Sequence, residues 1–240
     1  MSARDRVLAA AREGLGRAAW SAHGRTPGPG PSPSGDGRRR RPSGDADTRA
    51  LLVEQFTAAL TALGGQAHTA DSPGGIIDIV TSLFDRYACC DFISWEADEI
   101  PCPGLLDALA SHGRRRVAYD VPFDQVGRAA VLASLEPVGI GLTGGLAAVA
   151  SSGTIALASG KGRGRLASLL PPVHIAVIRT RALVASLDDV VTAHPSLVAE
   201  GSNIVFITGP SRTADIEMTL TRGVHGPRHV HVVLLTEAAP

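Results

Sequence analysis

The sequence predicts an α/β protein with a parallel-type sheet flanked by helices. Helical patterns and short β-branched strands alternate along most of the chain, as they do where helices connect parallel strands. Hydrophobic residues make up 44% of the 240 residues and charged residues 19%, which is enough apolar material for a substantial core.

The first 46 residues are expected to lie outside that core. Residues 1–23 carry apolar side chains at helical spacing, but the face is small and rich in alanine, so we predict a helix that needs a partner. Residues 24–46 are rich in Gly, Pro and Ser and include the run Arg38–Arg41, which is typical of a disordered linker. The α/β domain is therefore predicted to span residues 47–240.

The elements of this domain follow from hydrophobic spacing and from Gly and Pro breaks. Helices are predicted over Asp47–Leu63, from Gly74-Gly75 onward, and over Leu105–Leu109, Pro122–Leu135 and Ala182–Val191. Strands are predicted over Gln66–Thr69, Asp91–Trp95, Arg116–Tyr119, Thr154–Ala158 and Val173–Ile178.

The last part of the chain predicts a strand, a helix and a second strand. The run Ile204–Ile207 ends at a Gly-Pro turn, Ser211 opens a helical pattern, and Val230–Leu235 forms the final strand. Free backbone N–H groups at a helix N-terminus attract anions, so the turn after the first strand is the predicted site. A cation is unfavourable at that position, and we interpret Arg212 as the contact to an anion.

Charge and cysteine content exclude several classes of function. The formal net charge is zero, which gives no electrostatic reason to expect a nucleic-acid partner. The three cysteines have no CxxC spacing, so we expect no metal or cofactor held by this chain. No apolar run is long enough to span a membrane and no signal peptide is evident, so we expect a cytoplasmic location.

Three weaker patterns leave alternatives open. The sequence of Gly139–Gly144 fits the GxGxxG motif of dinucleotide-binding sites. Such a site needs an acidic residue about 20 residues later, where this chain has Arg163. The segment Gly160–Arg165 is either a mobile basic loop that closes over an anion or an exposed hairpin loop. On a strand, His229 and His231 would share a face, where ordinary hydrogen bonding is favoured over metal binding.

Two ordered stretches resemble the lactate utilization protein C family, the LUD-domain proteins. They read SSGTIAL followed by LLPPVHIAVI, and GPSRTADIE followed by GVHGP, and they span about residues 138–235. The resemblance implies a sheet related to the ribose-phosphate isomerase and CoA transferase-like fold. It also implies a non-redox accessory subunit that acts with iron–sulfur partner proteins in oxidising L-lactate to pyruvate.

The resemblance further implies a pocket for a small anion. Its candidate residues are Gly153, Thr154, His174, Ser211, Arg212, Thr213, Asp215 and His225. In this pocket Arg212 would pair with the anion, Asp215 would orient Arg212, and His225 would donate a hydrogen bond or move a proton.

The chain departs from the family pattern at two positions. Ser151 and Leu146 stand where similar proteins commonly carry acidic residues, which leaves open whether the chain has catalytic activity of its own. The alternative function is a free-standing sugar-phosphate isomerase or acyl-CoA-handling enzyme of the same fold, supported by fold analogy alone.

Overall fold

The computed structural model describes residues 45–122, 124–194, 203–214, 220–222 and 226–236. The predicted N-terminal helix, and the predicted linker up to residue 44, lie outside the described residues. In the described part of the chain, no helix combines the length and the apolar character needed to cross a bilayer.

Twelve strands are described, several of them short. In chain order they are β1 (Gln66–Ala70), β2 (Asp91–Ser94), β3 (Arg115–Arg116), β4 (Ile140–Thr143), β5 (Ala147–Val149), β6 (Thr154–Ser159), β7 (Val173–Arg179), β8 (Leu183–Val184), β9 (Asn203–Ile207), β10 (Arg212–Ala214), β11 (Leu220–Arg222) and β12 (His229–Leu235).

Six helices are described, together with the short 3-10 turns Ala97–Glu99 and Thr180–Ala182. They are α1 (Asp45–Ala62), α2 (Pro73–Arg86), α3 (Leu105–Ser111), α4 (Gln125–Leu135), α5 (Leu166–Leu169) and α6 (Leu187–Ala193). Helix α2 begins after Ser72, whose hydroxyl accepts a hydrogen bond from the Gly75 N–H, and α4 begins in the same way at Asp124.

The centre of the protein is a six-stranded parallel sheet with the strand order β1-β12-β7-β4-β2-β3. Side chains alternate between its faces along each strand. In β7, Ile175 and Val177 pack with helices α2 and α3, whereas Ala176 and Ile178 pack with Phe56 of α1. This arrangement confirms the predicted fold class and brings the carboxyl ends of the strands to one edge.

A second sheet of four strands covers part of the face that α1 covers, with the order β8-β5-β6-β9. Its β5–β6 and β6–β9 pairs are antiparallel. All six residues of β6 are buried, so its sequence reads like a central parallel strand, although it belongs to this smaller sheet.

The predicted strand–helix–strand unit at the C-terminal end is wrong. Strand β9 lies in the second sheet and β12 in the central sheet, so the two strands do not share a sheet. Where the helix was predicted, β10 and β11 pair as an antiparallel ribbon, with Thr213 opposite Thr221. β-branched residues favour this paired state over a helix, and the local capping pattern did not reveal the pairing.

Two other predicted elements are shorter or different. The strand predicted over Arg116–Tyr119 is confined to Arg115–Arg116. The helix predicted over Ala182–Val191 divides into a 3-10 turn, strand β8 and helix α6. Helix α6 starts later because Ser186 and Asp189 form a reciprocal capping box at its N-terminus.

Candidate functional site

Gly153 and Thr154 lie at the turn from β5 into β6. The Oγ1 atom of Thr154 lies 2.8 Å from Ser152 Oγ and 2.8 Å from Thr208 Oγ1, just beyond β9. Gly153 has a φ of 63°, and a Cβ atom there would overlap the backbone of Leu60 in α1. The hydroxyl cluster therefore joins the turn to β9, and the glycine allows α1 to pack directly on it.

His174 is completely buried in β7. Its Nε2 lies 2.9 Å from Oγ1 of Thr143 on β4, and its Nδ1 has no hydrogen-bond partner within the described part of the chain. Burial lowers the pKa of His174 to about 3, so the ring is neutral near pH 7. A neutral imidazole supplies hydrogen bonds but no charge with which to hold an anion.

The stretch from Ser211 to Thr213 enters a β-ribbon. The Ser211 N–H donates to the Pro227 carbonyl at 2.9 Å, next to the start of β12. For Arg212 and Thr213 only the backbone is described, as part of β10. The anion contact at Arg212 therefore stays a prediction, without the helix N-terminus that motivated it.

The described structure brings only part of the predicted pocket together. Gly153 and Thr154 are neighbours, while His174 forms its hydrogen bond with a different partner, Thr143. Asp215 and His225 lie outside the described residues.

The edge formed by the carboxyl ends of the parallel strands holds a cleft of about 630 Å³, which we call the strand-end cleft. It is lined by two cations, Arg179 at the end of β7 and Arg181 just after it, and by two acids, Asp98 and Glu99. Leu146, one of the two positions at which the sequence resemblance implies an acid, also lines it. Parallel α/β sheets bind ligands at this edge, so the cleft is the first candidate for a small organic anion.

A second cleft, of about 770 Å³, lies beside the loop between β6 and α5, and we call it the basic cleft. It is lined by the cationic side chains Arg128, Lys161, Arg163 and Arg165. Among the described residues that line it there is no Asp or Glu. Leucines complete the wall, so the cleft combines positive charge with apolar surface.

The loop that carries three of these cations is fastened to the end of β2. The Glu96 N–H donates to the Gly162 carbonyl at 2.8 Å, and the Trp95 indole N–H donates to the Gly164 carbonyl at 3.1 Å. Reciprocal backbone hydrogen bonds of 3.2 and 3.0 Å between Gly160 and Arg163 close the loop. The segment is thus a tight hairpin-like turn with a fixed backbone.

The cations of the basic cleft have few partners. The side chains of Arg128, Lys161 and Arg165 make no hydrogen bond or ion pair with another described residue. Arg163 lies 3.7 Å from a carboxylate oxygen of Glu99, and its Nε is buried without a described hydrogen-bond partner. Unpaired guanidinium and ammonium groups in one cleft favour an anion there.

The glycines of the GxGxxG motif at Gly139–Gly144 allow close packing. Gly141 lies inside β4, and a Cβ atom there would overlap the carbonyl of Ala167 in α5. The motif therefore runs through a central strand rather than through a turn that could hold phosphates.

The histidines of β12 cluster with His68 of β1 and with Tyr87, which directly follows α2. His231 Nδ1 lies 3.1 Å from His68 Nε2, and His231 Nε2 lies 2.8 Å from Tyr87 Oη. The ring of His229 lies 5.0 Å from that of Tyr87. Burial, followed by the charges of its neighbours, lowers the pKa of His231 to about 3. No group of three His, Cys, Asp or Glu side chains that could hold a metal ion occurs among the described residues.

The basic loop was expected from the sequence. Arg128 in the basic cleft and Arg179 in the strand-end cleft were not. Arg128 lies on α4, and nothing in its local sequence indicates which loop it faces. Arg179 follows a run of buried apolar residues, and only its position at a strand end makes it a candidate for ligand binding.

Comparison with known families gives one match that spans most of the chain. A family model described as LUD domain matches residues 53–235. A search of solved structures finds a DUF162 family protein from Deinococcus radiodurans, with a TM-score of 0.56 and 23% identity over 78% of this chain and 98% of that one. This likeness supports the fold.

Several curated relatives are named Lactate utilization protein C. The protein from Halalkalibacterium halodurans is 35% identical over 152 residues, which is 62% of this chain and 64% of the relative. Those from Deinococcus radiodurans and Bacillus subtilis are 39% and 38% identical, over 39% and 42% of this chain and 45% and 44% of their own lengths. The matched segments thus span less than two thirds of each of these relatives.

Proposed function

We infer that this chain, which belongs to the LUD domain family, takes part in lactate utilization. The observation that carries this proposal is the family match, which spans residues 53–235 and includes all the described strands. Relatives named Lactate utilization protein C, at 35% to 39% identity, support it.

We propose that the chain binds a small organic anion in the strand-end cleft. Arg179 and Arg181 both line this cleft, and a guanidinium group binds a carboxylate through two parallel hydrogen bonds. Lactate and pyruvate each carry one carboxylate. Leu146 adds no charge to the lining, in which the two arginines stand beside the carboxylates of Asp98 and Glu99.

We further propose that the chain is a non-redox subunit and that iron–sulfur partner proteins accept the electrons. Conversion of L-lactate to pyruvate releases two electrons and two protons, so a redox centre must receive them. The thiols of Cys89 and Cys102 donate to the backbone carbonyls of Tyr87 and Pro73, at 3.3 and 3.6 Å, and burial raises the pKa of both thiols. These contacts suit structural cysteines better than cluster ligands.

Growth on L-lactate tests the role in lactate utilization. A strain that lacks the gene and any second copy is complemented with wild type, Arg181→Gln, Arg212→Gln or Arg115→Gln. Arg115 is the matched control, because it is an exposed arginine paired with Asp91 away from the strand-end cleft. We expect wild type and Arg115→Gln to restore growth and Arg181→Gln to fail.

The other outcomes separate the parts of the proposal. Failure of Arg212→Gln alone would move the anion site to Arg212, the contact predicted from the sequence, which lies in β10. Growth of the uncomplemented deletion strain at the parental rate would exclude the lactate role altogether.

Purification from lactate-grown cells tests the partners. The tagged chain is expected to retain proteins that contain iron and acid-labile sulfide. Recovery of the chain without iron, under conditions where lactate oxidation in the extract survives, would contradict the proposed assembly.

A further inference from the structure

The charge of the basic cleft suits a ligand with more than one negative charge. Four cationic side chains line it, and one of them, Arg163, has a described carboxylate neighbour in Glu99. Three positive charges therefore remain without a described partner. Like charges held in one cleft repel each other, and a bound anion relieves this repulsion. A single carboxylate would leave most of that charge uncompensated.

The backbone that carries the cations is fixed before any ligand binds. Lys161 and Arg165 stand on the loop anchored by the hydrogen bonds of Trp95 and Glu96, and Arg128 projects from helix α4. A fixed backbone confines the conformational entropy lost on binding to the side chains themselves. The buried Nε of Arg163 is a further donor without a described acceptor.

The remaining wall of the basic cleft is apolar. Leu132 and Leu169 line it and are each 37% exposed, which is high for large hydrophobic side chains. Tyr119 also lines it. A volume of about 770 Å³ suits an organic molecule rather than a single inorganic ion.

We propose that the basic cleft binds an organic diphosphate that carries an apolar group, in the manner of a nucleoside diphosphate. The diphosphate lies against Arg128, Lys161 and Arg165, and the apolar group lies against Leu132 and Leu169. This site shares no lining residue with the strand-end cleft and goes beyond the role in lactate utilization.

Calorimetric titration of the purified full chain with three probes tests this proposal. The probes are ADP, which has both parts, pyrophosphate, which lacks the apolar part, and adenosine, which lacks the phosphates. We expect ADP to bind most tightly, pyrophosphate more weakly and adenosine least. Added salt is expected to weaken the first two, because phosphate contacts are screened.

Variants assign the contacts. Arg165→Gln and Arg128→Gln are each expected to weaken ADP binding by about tenfold, the usual effect of losing one charge-assisted hydrogen bond. Leu132→Ser should weaken ADP binding and leave pyrophosphate binding unchanged. Arg115→Gln, outside the cleft, should bind ADP like wild type, and circular dichroism confirms that each variant is folded.

Three results would overturn the proposal. One is no heat of binding with ADP at about 1 mM and low salt. A second is ADP binding that survives Arg165→Gln and Arg128→Gln unchanged. A third is equal affinity for pyrophosphate and ADP, which would remove the apolar contact. Growth on L-lactate tests the role in lactate utilization and does not depend on the titrations. Either proposal can therefore fail without contradicting the other.

Discussion

Thr143 Oγ1 and His174 Nε2 lie 2.9 Å apart and join the neighbouring strands β4 and β7 in the centre of the protein. Both residues are completely buried, and the other ring nitrogen of His174 has no partner in the described residues. The hydroxyl of Thr143 is thus the one described side chain that satisfies this imidazole.

Replacement of Thr143 by valine is expected to destabilise the protein by about 1–3 kcal/mol, because the buried imidazole loses its partner. Thr143→Ser keeps the hydroxyl and is the matched control, with a smaller loss from the missing methyl group. Urea unfolding monitored by circular dichroism gives both values. A Thr143→Val protein as stable as wild type would show that the contact contributes nothing.

Acid is expected to destabilise the protein through its buried histidines. The pKa values of His174 and His231 are about 3 in the folded state against an ordinary value of 6.5. Between these values the unfolded chain binds protons that the folded chain does not, so the free energy of unfolding falls as pH falls. From about pH 7.5 to about pH 5.5 each histidine should cost about 1.4 kcal/mol.

His174→Gln should remove one of these two contributions. Urea unfolding at the two pH values measures the difference for wild type and variant. His68, whose pKa is lowered by burial and then by Arg86, acts in the same direction in both proteins and does not affect the comparison. An unchanged pH dependence in His174→Gln would contradict the assignment.

Gly141→Ala is expected to destabilise the protein by about 1–3 kcal/mol or more, because the new Cβ overlaps a backbone carbonyl that cannot rotate away. Gly74→Ala is the control, since a Cβ at Gly74, in the first turn of α2, meets open space. That control should be neutral or stabilising by up to about 1 kcal/mol. Equal thermal stability of the two variants would exclude the packing role of Gly141.

Trp95→Phe is expected to weaken ADP binding severalfold although Trp95 does not line the basic cleft. The change removes the hydrogen bond to the Gly164 carbonyl that fixes the loop, and leaves every cation in place. Calorimetric titration measures the effect. An affinity equal to that of wild type would show that the loop does not need this anchor.

The sequence predicted β7 and β12 of the central sheet well, because both are apolar runs between clear breaks, but it missed β4, which lies in a glycine-rich stretch. The predicted Val173–Ile178 and Val230–Leu235 differ from the observed strands by one residue at one end. It failed at β10 and β11, whose three-residue strands exist only because each pairs with the other. Ser211 and Asp215 fit the start of a helix in the local sequence. The pairing of β10 with β11 places this segment in a ribbon instead.

The site was harder to predict than the fold for the same reason. The basic loop was visible as alternating glycines and cations, yet whether it folds over a ligand depends on Trp95 and Glu96, more than 60 residues earlier in the chain. Arg128 and Arg181 become candidate binding residues only because the fold places each of them in the lining of a cleft. No local pattern carries that information.

The role in lactate utilization is tested most directly by restoring lactate oxidation in an extract. Extract of the deletion strain is supplied with L-lactate and an artificial electron acceptor, and purified wild-type chain is added back. We expect acceptor reduction to return with wild type and not with Arg181→Gln. Full lactate-dependent reduction in the extract before any addition would contradict the proposed function.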